Sequence, residues 1–379
     1  MLLIVSLLPI NIYALETNSR DVDLTPDAFS SVVIEATTGQ VLYNKNANKP
    51  HEVASLTKMM GLILIFEAME KNALKTDEIL TTSENAKNMG GSQIWLDTGE
   101  KISVDDLLKG IIMASANDAM VLMAERVSGT EEAFVSQMNK KAKELGLQNT
   151  YFKNSTGLDE DGAYSSAYDM AIIAKELIKH EKVFDYSKNY ESYIRENTDN
   201  KTWITNTNKL VRFYDGTDGL KTGMTDKAGS CMTVTTKRNG LRLIAVTLGF
   251  PNSKIRNQET MDLLDYGFNQ YETKIIKKKN DVVGQLTLEK ATKDKIDLVL
   301  KDDAVIINKK QDKEKEYTYD VKTYDVSYPI KKDTVLGEFQ IKENNKIVSK
   351  IDLVAKEDIN KLNIFKLYLK VLKDILMGN

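Results

Sequence analysis

Cysteine and histidine are scarce in this chain of 379 residues. Cys231 is the one cysteine, which excludes a disulfide within the chain. The two histidines, His51 and His180, are too few for a zinc site built from cysteine and histidine. A Ser-His-Asp triad has few candidates for the same reason, and His51 follows Pro50 in the loop before a predicted helix. We therefore give His51 little weight as a base and expect no metal ion or other cofactor.

Acidic and basic residues are nearly balanced in number. The chain has 52 basic and 55 acidic side chains and a formal net charge of −3, so no overall field favours nucleic acid as a partner. Hydrophobic residues make up 42% and charged residues 28% of the chain, which is typical of a globular protein. At about 150 residues per domain, the length allows two domains.

The uncharged stretch near the N-terminus, LLIVSLLPINIYAL at residues 2–15, is too short to span a bilayer, which takes about 20 apolar residues. A short apolar segment that ends in a small residue, here Ala14, is typical of a secretory signal peptide. A buried N-terminal strand is the alternative. We predict that residues 1–15 are a signal peptide and that the chain is exported. Export without a disulfide suits a bacterial envelope protein.

Hydrophobic periodicity predicts an α+β domain over residues 20–272. Two β-rich runs flank a turn at 36–39, and helical spacing of apolar residues dominates 55–178. Strand patterns return on both sides of Asn239-Gly240, a pair typical of a tight hairpin, and a last helix is predicted at 253–271. Because strands bracket the helical part, we expect one antiparallel sheet with helices on its faces.

After this domain the sequence changes character. The basic run at 274–280 is predicted to be a linker, and short alternating runs with polar turns predict a small all-β sandwich at 281–356. Residues 358–379 are predicted to form an amphipathic helix of mostly apolar circumference. Such a helix is typical of one that lies in a membrane interface, and docking on the sandwich is the alternative. Three lysines give it one narrow polar stripe: Lys366, Lys370 and Lys373.

Ser55 stands three residues before Lys58 at the start of an apolar helical stretch, ASLTKMMGLILIFEAME. Side chains at i and i+3 lie on one face of a helix, about 5–6 Å apart between Cβ atoms, so the hydroxyl and the amine would point the same way. The pair fits an ordinary helix start with a serine cap, and it also fits a nucleophile beside its base. Two further short motifs follow, Ser115-Ala116-Asn117 within helical sequence and Lys221-Thr222-Gly223 within strand sequence.

These three motifs, in this order, are the set typical of penicillin-binding proteins and serine β-lactamases. Together with the segments at 157–171 and 221–229, they make the chain resemble a low-molecular-mass penicillin-binding protein, a serine-type D-alanyl-D-alanine carboxypeptidase. The resemblance runs from about Phe29 to the C-terminus. The family more often has Gly in the middle of the second motif and His after the third, where this chain has Ala116 and Met224. Neither difference removes a group needed for acyl transfer.

Acyl-transfer chemistry gives the motif residues their roles. Ser55 would be the nucleophile, and Lys58 can act as its base only as a free amine. Burial and the positive charge of Lys221 would favour the free amine by lowering the lysine pKa. Ser115 would relay the proton toward the leaving group, and Asn117 would hold Lys58 and the substrate amide.

The residues expected to bind substrate are Lys221, Thr222, Gly223, Met224 and Arg256. The two residues Lys221 and Thr222 would hold the terminal carboxylate, and the resemblance adds Arg256 to them. The resemblance also implies an oxyanion hole made by the backbone N–H groups of Met224 and of the nucleophile. Gly223 would let the strand approach the ligand without a Cβ.

We therefore predict a serine D,D-carboxypeptidase held peripherally at the outer face of the bacterial cytoplasmic membrane by its C-terminal helix. It would remove the terminal D-Ala from peptidoglycan stem peptides that end in D-Ala-D-Ala, through an acyl-Ser55 intermediate. β-Lactam antibiotics would acylate the same serine.

Three alternatives remain open from the sequence. A D,D-endopeptidase would use the same residues. The commonest class of β-lactamase places a glutamate and an asparagine together in a loop after the second motif, whereas here Tyr164 stands four residues after Glu160. An inactive wall-binding scaffold would need no nucleophile and base. The acidic stretch at 157–164 lacks the alternating ligands of an EF-hand, and we expect it to be a loop beside the cleft.

Overall fold

The computed structural model of the chain describes residues 23–312, 315–363, 365 and 367–368. Its N-terminal part is built on one antiparallel sheet with the strand order β2-β1-β9-β8-β7. These strands are β1 (Ser30–Glu35), β2 (Val41–Lys45), β7 (Thr217–Thr225), β8 (Gly229–Arg238) and β9 (Leu241–Phe250). Two small hairpins accompany the sheet, formed by β3 (Ile79–Thr81) with β4 (Lys101–Ser103) and by β5 (Glu191–Ile194) with β6 (Thr202–Thr205).

Helices cover both faces of this sheet. They are α1 (Lys58–Glu70), α2 (Glu84–Lys87), α3 (Val104–Met113), α4 (Asn117–Ser128), α5 (Glu131–Glu144), α6 (Ala167–Leu177), α7 (Val183–Ser187), α8 (Leu210–Phe213) and α9 (Ser253–Gln270). Because side chains alternate along a strand, Val32 and Ile34 of β1 join the core with α1 and α6, while Val33 joins the core with α9. The predicted α+β class, a sheet flanked by helices, is confirmed.

The predicted tight turn at Asn239-Gly240 joins β8 to β9. Both residues have positive φ, 49° for Asn239 and 83° for Gly240, as the favoured two-residue hairpin turn requires. The hairpin of β1 and β2 also forms around the predicted turn at 36–39.

Helix α1 lies at the centre of the helical side of the sheet. Its residues from Lys58 to Phe66 are all buried, as expected for a helix that is apolar all round. Helices α4, α5 and α6 pack around it, and Gly61 makes room for Met120, because a Cβ on that glycine would lie 2.1 Å from the methionine Cε. This packing takes the first residue of the helix, Lys58, out of water.

The C-terminal part is all β. Its strands are β10 (Tyr271–Lys277), β11 (Val282–Thr287), β12 (Lys295–Leu300), β13 (Ala304–Lys309), β14 (Tyr317–Thr323), β15 (Val335–Glu343) and β16 (Lys346–Ala355). Strand β10 pairs with β13, and the others form a second sheet in the order β11-β12-β16-β15-β14. The predicted all-β fold of this part is confirmed.

The prediction of a linker at 274–280 is wrong. Helix α9 ends at Gln270 and β10 begins at Tyr271, so most of the basic run lies in a strand. Only the first residue of β10 is buried, and Lys274 and Ile275 are exposed. A strand that is mostly exposed carries many charged side chains, and these made the segment resemble a linker.

The predicted C-terminal helix falls largely outside the described residues, as do its three stripe lysines and the predicted signal peptide. The predicted start at residue 358 is wrong, since Ile359 and Lys361 form β-bridges with Ile330 and Ala291. Buried Ile359 belongs to the core of the β domain, which holds this stretch extended. Phe365 is helical and exposed. Within the described part of the chain, we find no helix with the length and apolar character needed to cross a bilayer.

Candidate active site

Ser55 lies in a single 3-10 turn, Ala54–Thr57, that leads directly into α1. Its Oγ is 2.9 Å from the Nζ of Lys58, which donates a hydrogen bond to it. The N-cap position of α1 is occupied by Thr57, so Ser55 is not the helix cap. Ala54, just before the serine, has a φ of 47°, a strained value for a residue other than glycine and one that is frequent beside functional groups.

The amine of Lys58 is fully buried and donates a second hydrogen bond to the backbone carbonyl of Thr156, at 2.6 Å. Burial and then the positive charge of Lys221 hold the pKa of Lys58 well below its usual range, while Asp118 opposes the shift. A lysine with a lowered pKa provides free amine at neutral pH, and only the free amine can take a proton from Ser55.

Lys221 lies on β7, the edge strand of the sheet, and its buried amine donates to the carbonyl of Thr222 at 3.0 Å. Burial and then the charge of Arg256 lower the pKa of Lys221 to about 7. The guanidinium of Arg256 is itself buried, which lowers its pKa to about 10. The site therefore contains three buried basic side chains, Arg256, Lys221 and Lys58, in which the charge of Arg256 lowers the pKa of Lys221 and the charge of Lys221 lowers that of Lys58.

Ser115 and Asn117 connect α3 to α4, and both are buried. Ser115 has a φ of 65°, so this junction is a second place in the site where a residue other than glycine is strained. The amide Nδ2 of Asn117 donates to the carbonyl of Gly90 at 2.7 Å. The expected contact from Asn117 to Lys58 is therefore not formed, and the carbonyl of Thr156 is the partner in its place. The buried Oδ1 of Asn117 has no hydrogen-bond partner.

Two glycines pack closely on the backbone of the nucleophile turn. A Cβ on Gly223 would lie 2.9 Å from the nitrogen of Ser55 and 3.0 Å from the oxygen of Val53. A Cβ on Gly157 would lie 1.9 Å from the oxygen of Ala54, and Gly157 has a φ of 79° that also favours glycine. Strand β7 and the loop around Gly157 thus pack directly on the turn that carries Ser55. Gly223 was expected to let the strand approach the ligand. In the structure, its close approach is to the backbone of the turn that carries Ser55.

Asn154 organises the loop that supplies the lysine's carbonyl partner. Its Oδ1 accepts hydrogen bonds from the backbone N–H groups of Thr156 and Gly157, at 3.2 and 2.7 Å. Its Nδ2 donates to the Leu158 carbonyl and to Glu160, both at 3.0 Å. Sequence reasoning did not find Asn154, Thr156 or Gly157. Thr156 acts through a carbonyl that every residue has. Gly157 is the first residue of the stretch at 157–164 that was expected to be a loop, and Asn154 lies before that stretch.

The other predicted substrate-binding residues lie along β7 and beside it. Thr222 is buried, and Met224 is 70% exposed. Arg256 donates to the Oγ of Ser230 at 2.9 Å and to the carbonyl of Cys231 at 3.2 Å, so it is held behind the sheet edge next to Lys221. His51 lies outside this group, where it stacks on Phe29 and bonds to a backbone carbonyl.

The arrangement is that of a serine acyl-transfer enzyme with a lysine base. A hydroxyl and a buried amine of lowered pKa are within hydrogen-bond distance, and the backbone turn that carries the hydroxyl is packed against β7. The same class of protein is found by comparison. Residues 16–252 match the family model described as D-alanyl-D-alanine carboxypeptidase, and residues 271–361 match that of the penicillin-binding protein 5 C-terminal domain. The chain belongs to the D-alanyl-D-alanine carboxypeptidase family of serine peptidases.

Individual relatives agree with this assignment. The D-alanyl-D-alanine carboxypeptidase DacF of Bacillus subtilis is 46% identical over 92% of this chain and 90% of its own length. Penicillin-binding protein 5 of Haemophilus influenzae has a TM-score of 0.69 at 29% identity, covering 88% of this chain and 98% of that one. Penicillin-binding protein D2 of Listeria monocytogenes in its ampicillin-bound form has a TM-score of 0.58 at 33% identity, over 64% and 98% of the two chains.

Proposed function

We propose that the chain is a serine D,D-carboxypeptidase that removes the terminal D-Ala from peptidoglycan stem peptides. The observation that carries this proposal is the pair of Ser55 and Lys58, with Oγ and Nζ 2.9 Å apart and the lysine pKa lowered by burial and by Lys221. Family membership supports the same reaction, because the matching family model is that of D-alanyl-D-alanine carboxypeptidases.

Acylation begins when the free amine of Lys58 takes the proton of the Ser55 hydroxyl. The Oγ attacks the carbonyl carbon between the two D-Ala residues, and the resulting oxyanion accepts hydrogen bonds from the backbone N–H groups of Ser55 and Met224. The position of the Ser55 nitrogen beside Gly223 supports this assignment. Ser115 relays the proton to the leaving nitrogen, and free D-Ala departs.

Substrate binding uses the groups around this pair. The terminal carboxylate of the peptide is held by charged Lys221 and by the Thr222 hydroxyl, with Arg256 adding positive charge from behind. A carboxylate close to Lys221 raises its pKa and keeps it protonated. Asn117 accepts an N–H of the substrate backbone through its unpartnered Oδ1, since its Nδ2 is already bonded to Gly90.

Deacylation completes the reaction. Water attacks the ester carbonyl, the ester C–O bond breaks, and Ser55 regains its proton, leaving a stem peptide one D-Ala shorter. A β-lactam forms the same ester, but its leaving nitrogen remains tethered in the site and obstructs water. Slow release of β-lactams follows. The Listeria relative in its ampicillin-bound form supports β-lactams as ligands of this fold.

The β-lactamase alternative is not favoured by the loop beside the site. Glu160, a glutamate of this loop, is exposed and accepts a hydrogen bond from Asn154, and Tyr164 rather than asparagine stands four residues after it.

Intact-mass spectrometry tests the proposal together with an assay of D-Ala release. After brief incubation with benzylpenicillin, the mass should increase by the whole drug, the adduct should map to the peptide that carries Ser55, and Ser55→Ala should show none. Free D-Ala should be released from a peptide ending in D-Ala-D-Ala. Rapid drug turnover without an adduct would instead indicate a β-lactamase, cleavage of cross-linked peptides alone would indicate an endopeptidase, and no reaction with either ligand would indicate a scaffold.

We also propose that the protein is exported and held peripherally at the outer face of the cytoplasmic membrane. The uncharged segment at 2–15 and the cationic stripe of the C-terminal tail support this location. Deleting residues 364–379, which lie beyond the β-bridges at Ile359 and Lys361, should release the protein from sedimented membranes. A truncated protein that still sediments would place the attachment elsewhere.

A further inference from the structure

Trp95 is exposed in a way that its neighbours do not explain. It lies between Ile94 and Leu96, which are both buried, yet 76% of Trp95 is exposed. Its φ is 60°, a left-handed value that residues other than glycine rarely adopt. The backbone turns this large apolar side chain away from the core while its two neighbours point inward. Such an outlier persists only where the surrounding structure enforces it.

The enforcing contacts come from the active site. The carboxylate of Asp118 accepts hydrogen bonds from the N–H groups of Ile94 and Leu96, with the oxygen Oδ2 at 3.1 Å from both nitrogens. Earlier in the same loop, the N–H of Asn117 donates to the carbonyl of Ser92 at 2.7 Å. The loop from residue 90 to residue 96 is thus bound along its length to Asn117 and Asp118 at the start of α4.

A second element fixes the loop from the other side. Arg195, at the end of β5, donates to the carbonyls of Ile94 and Trp95, at 3.1 and 3.3 Å, and forms an ion pair with Glu100 at 2.5 Å. The backbone of the loop is therefore bound on both sides while the indole projects into solvent. Because the backbone that carries the indole is already ordered, a ligand that stacks on Trp95 does not have to order the loop.

We propose that Trp95 is a platform for the glycan strand of the peptidoglycan substrate, on which an N-acetylated sugar ring stacks. This rests on the proposed function. Trp95 is three residues from Ser92, a span of at most about 10 Å, and Ser92 contacts Asn117 beside the reaction centre. The stem residues between the sugar and the bond that is cut span at most about 14 Å when extended. The two lengths are comparable, so a stem peptide in the cleft can bring its sugar to the indole.

The chemistry favours the sugar over the peptide as the occupant. A pyranose ring presents several C–H groups on one flat face, which matches the area of an exposed indole. The D-Ala residues at the end of the peptide each offer a single methyl group, which covers little of a tryptophan. The polar edge of the sugar remains in water, as the high exposure of the site requires.

The protein offers a direct optical test, since Trp95 and Trp203 are its two tryptophans. In a Trp203→Phe variant, fluorescence comes from Trp95, and in Trp95→Phe it comes from Trp203. Titration with a trimer of N-acetylglucosamine should produce a saturable change in emission in the first variant and none in the second. A change in neither, or in the second alone, would overturn the proposal.

A kinetic test distinguishes an effect of Trp95 on sugar binding from an effect on peptide binding. In Trp95→Ala, the ratio of kcat/KM for a disaccharide pentapeptide to kcat/KM for the free pentapeptide should fall at least tenfold, mainly through KM. Trp95→Phe should restore part of the ratio, and Tyr319→Ala, an exposed aromatic of the β domain, should leave it at the wild-type value. An equal loss with both substrates would show that Trp95 acts on the peptide or through Asn117, and the proposal would be wrong. Failure of the wild type to acylate with benzylpenicillin would count against the proposed function instead.

Discussion

Lysine side chains are held in different ways in the two domains. In the β domain, Lys350 pairs with buried Glu338 at 3.3 Å, and Lys315 pairs with Glu343 at 3.1 Å. In the N-terminal domain, Lys58 and Lys221 are buried with no carboxylate within ion-pair distance among the described residues, and both have lowered pKa values.

The difference lies in how far each amine is removed from water and in whether a carboxylate lies beside it. The β-domain side chains stay partly in water, 53% exposed for Lys350 and 34% for Lys315, and each pairs with a carboxylate. For Lys315, partial burial lowers the pKa, while the hydrogen bond and the charge of Glu343 raise it. The net shift of the Lys315 pKa is upward. Without a carboxylate, a buried lysine offsets the cost of desolvating its charge by giving up its proton. Lys58 and Lys221 thus differ from the paired lysines of the β domain in being fully buried and in lacking a carboxylate partner, as a lysine that serves as a base requires.

The largest effect that tests this distinction is expected at Lys58. Lys58→Arg keeps a positive charge but cannot supply a free base, so the rate of acylation by benzylpenicillin should fall by about 10²- to 10⁴-fold. Stopped-flow or quenched-mass measurement of the acylation rate checks this. Near-normal acylation by the arginine variant would show that another group takes the proton of Ser55.

A smaller loss is expected from moving the nucleophile turn. Gly157→Ala would place its Cβ 1.9 Å from the oxygen of Ala54, so the turn must shift and kcat should fall about 100-fold. Gly99→Ala is the matched control, because Gly99 also has a positive φ but has open space around its Cβ. It should lose about 1 kcal/mol of stability and no activity. Equal kinetic losses in both variants would assign the effect to backbone strain alone.

The pH dependence of the free energy of unfolding should show that Lys221 is buried without a carboxylate partner. Unfolded Lys221 titrates near 10.5 and folded Lys221 near 7, so between these values the unfolded state binds more protons. The free energy of unfolding should therefore rise with pH across this window, by up to about 1.4 kcal/mol per pH unit, and Lys221→Met should lack that part of the rise. Below pH 7 the full penalty for burying the charge remains. Urea unfolding of both proteins at several pH values checks this, and parallel curves would contradict it.

The smallest effect is expected in the β domain. The side chain of Lys350 is 53% exposed, so Lys350→Met should cost about 1 kcal/mol or less in unfolding free energy. Acylation by benzylpenicillin should proceed at the wild-type rate. A loss of acylation comparable to that of the Lys58 variant would mean that pairing does not separate structural lysines from chemical ones.

The sequence predicted the parts of the site that depend on side-chain type. Ser55 and Lys58 lie together because three residues separate them at a helix start, whereas Lys221 comes near them through the packing of β7 on that turn. It could not predict Thr156, whose contribution is a carbonyl placed by loop geometry. From the sequence, the Asn117 amide was assigned to Lys58. In the structure this amide donates to the carbonyl of Gly90, which lies 27 residues away along the chain, and no motif indicated that contact. Likewise, β10 was missed because its strand pairing is with β13, and local charge indicated a linker.

The two glycine contacts couple β7 and the loop around Gly157 to the turn that carries the nucleophile, so a shift of either element also shifts Ser55. Strand β7 touches the Ser55 turn through Gly223, and the loop around Gly157 touches it too, in both cases backbone against backbone with no flexible side chain between them. A ligand that pushes either element outward would therefore withdraw support from the serine that has to attack it. Compounds that are too wide for the cleft would be poor acylating agents even when their reactive carbonyl can reach Ser55.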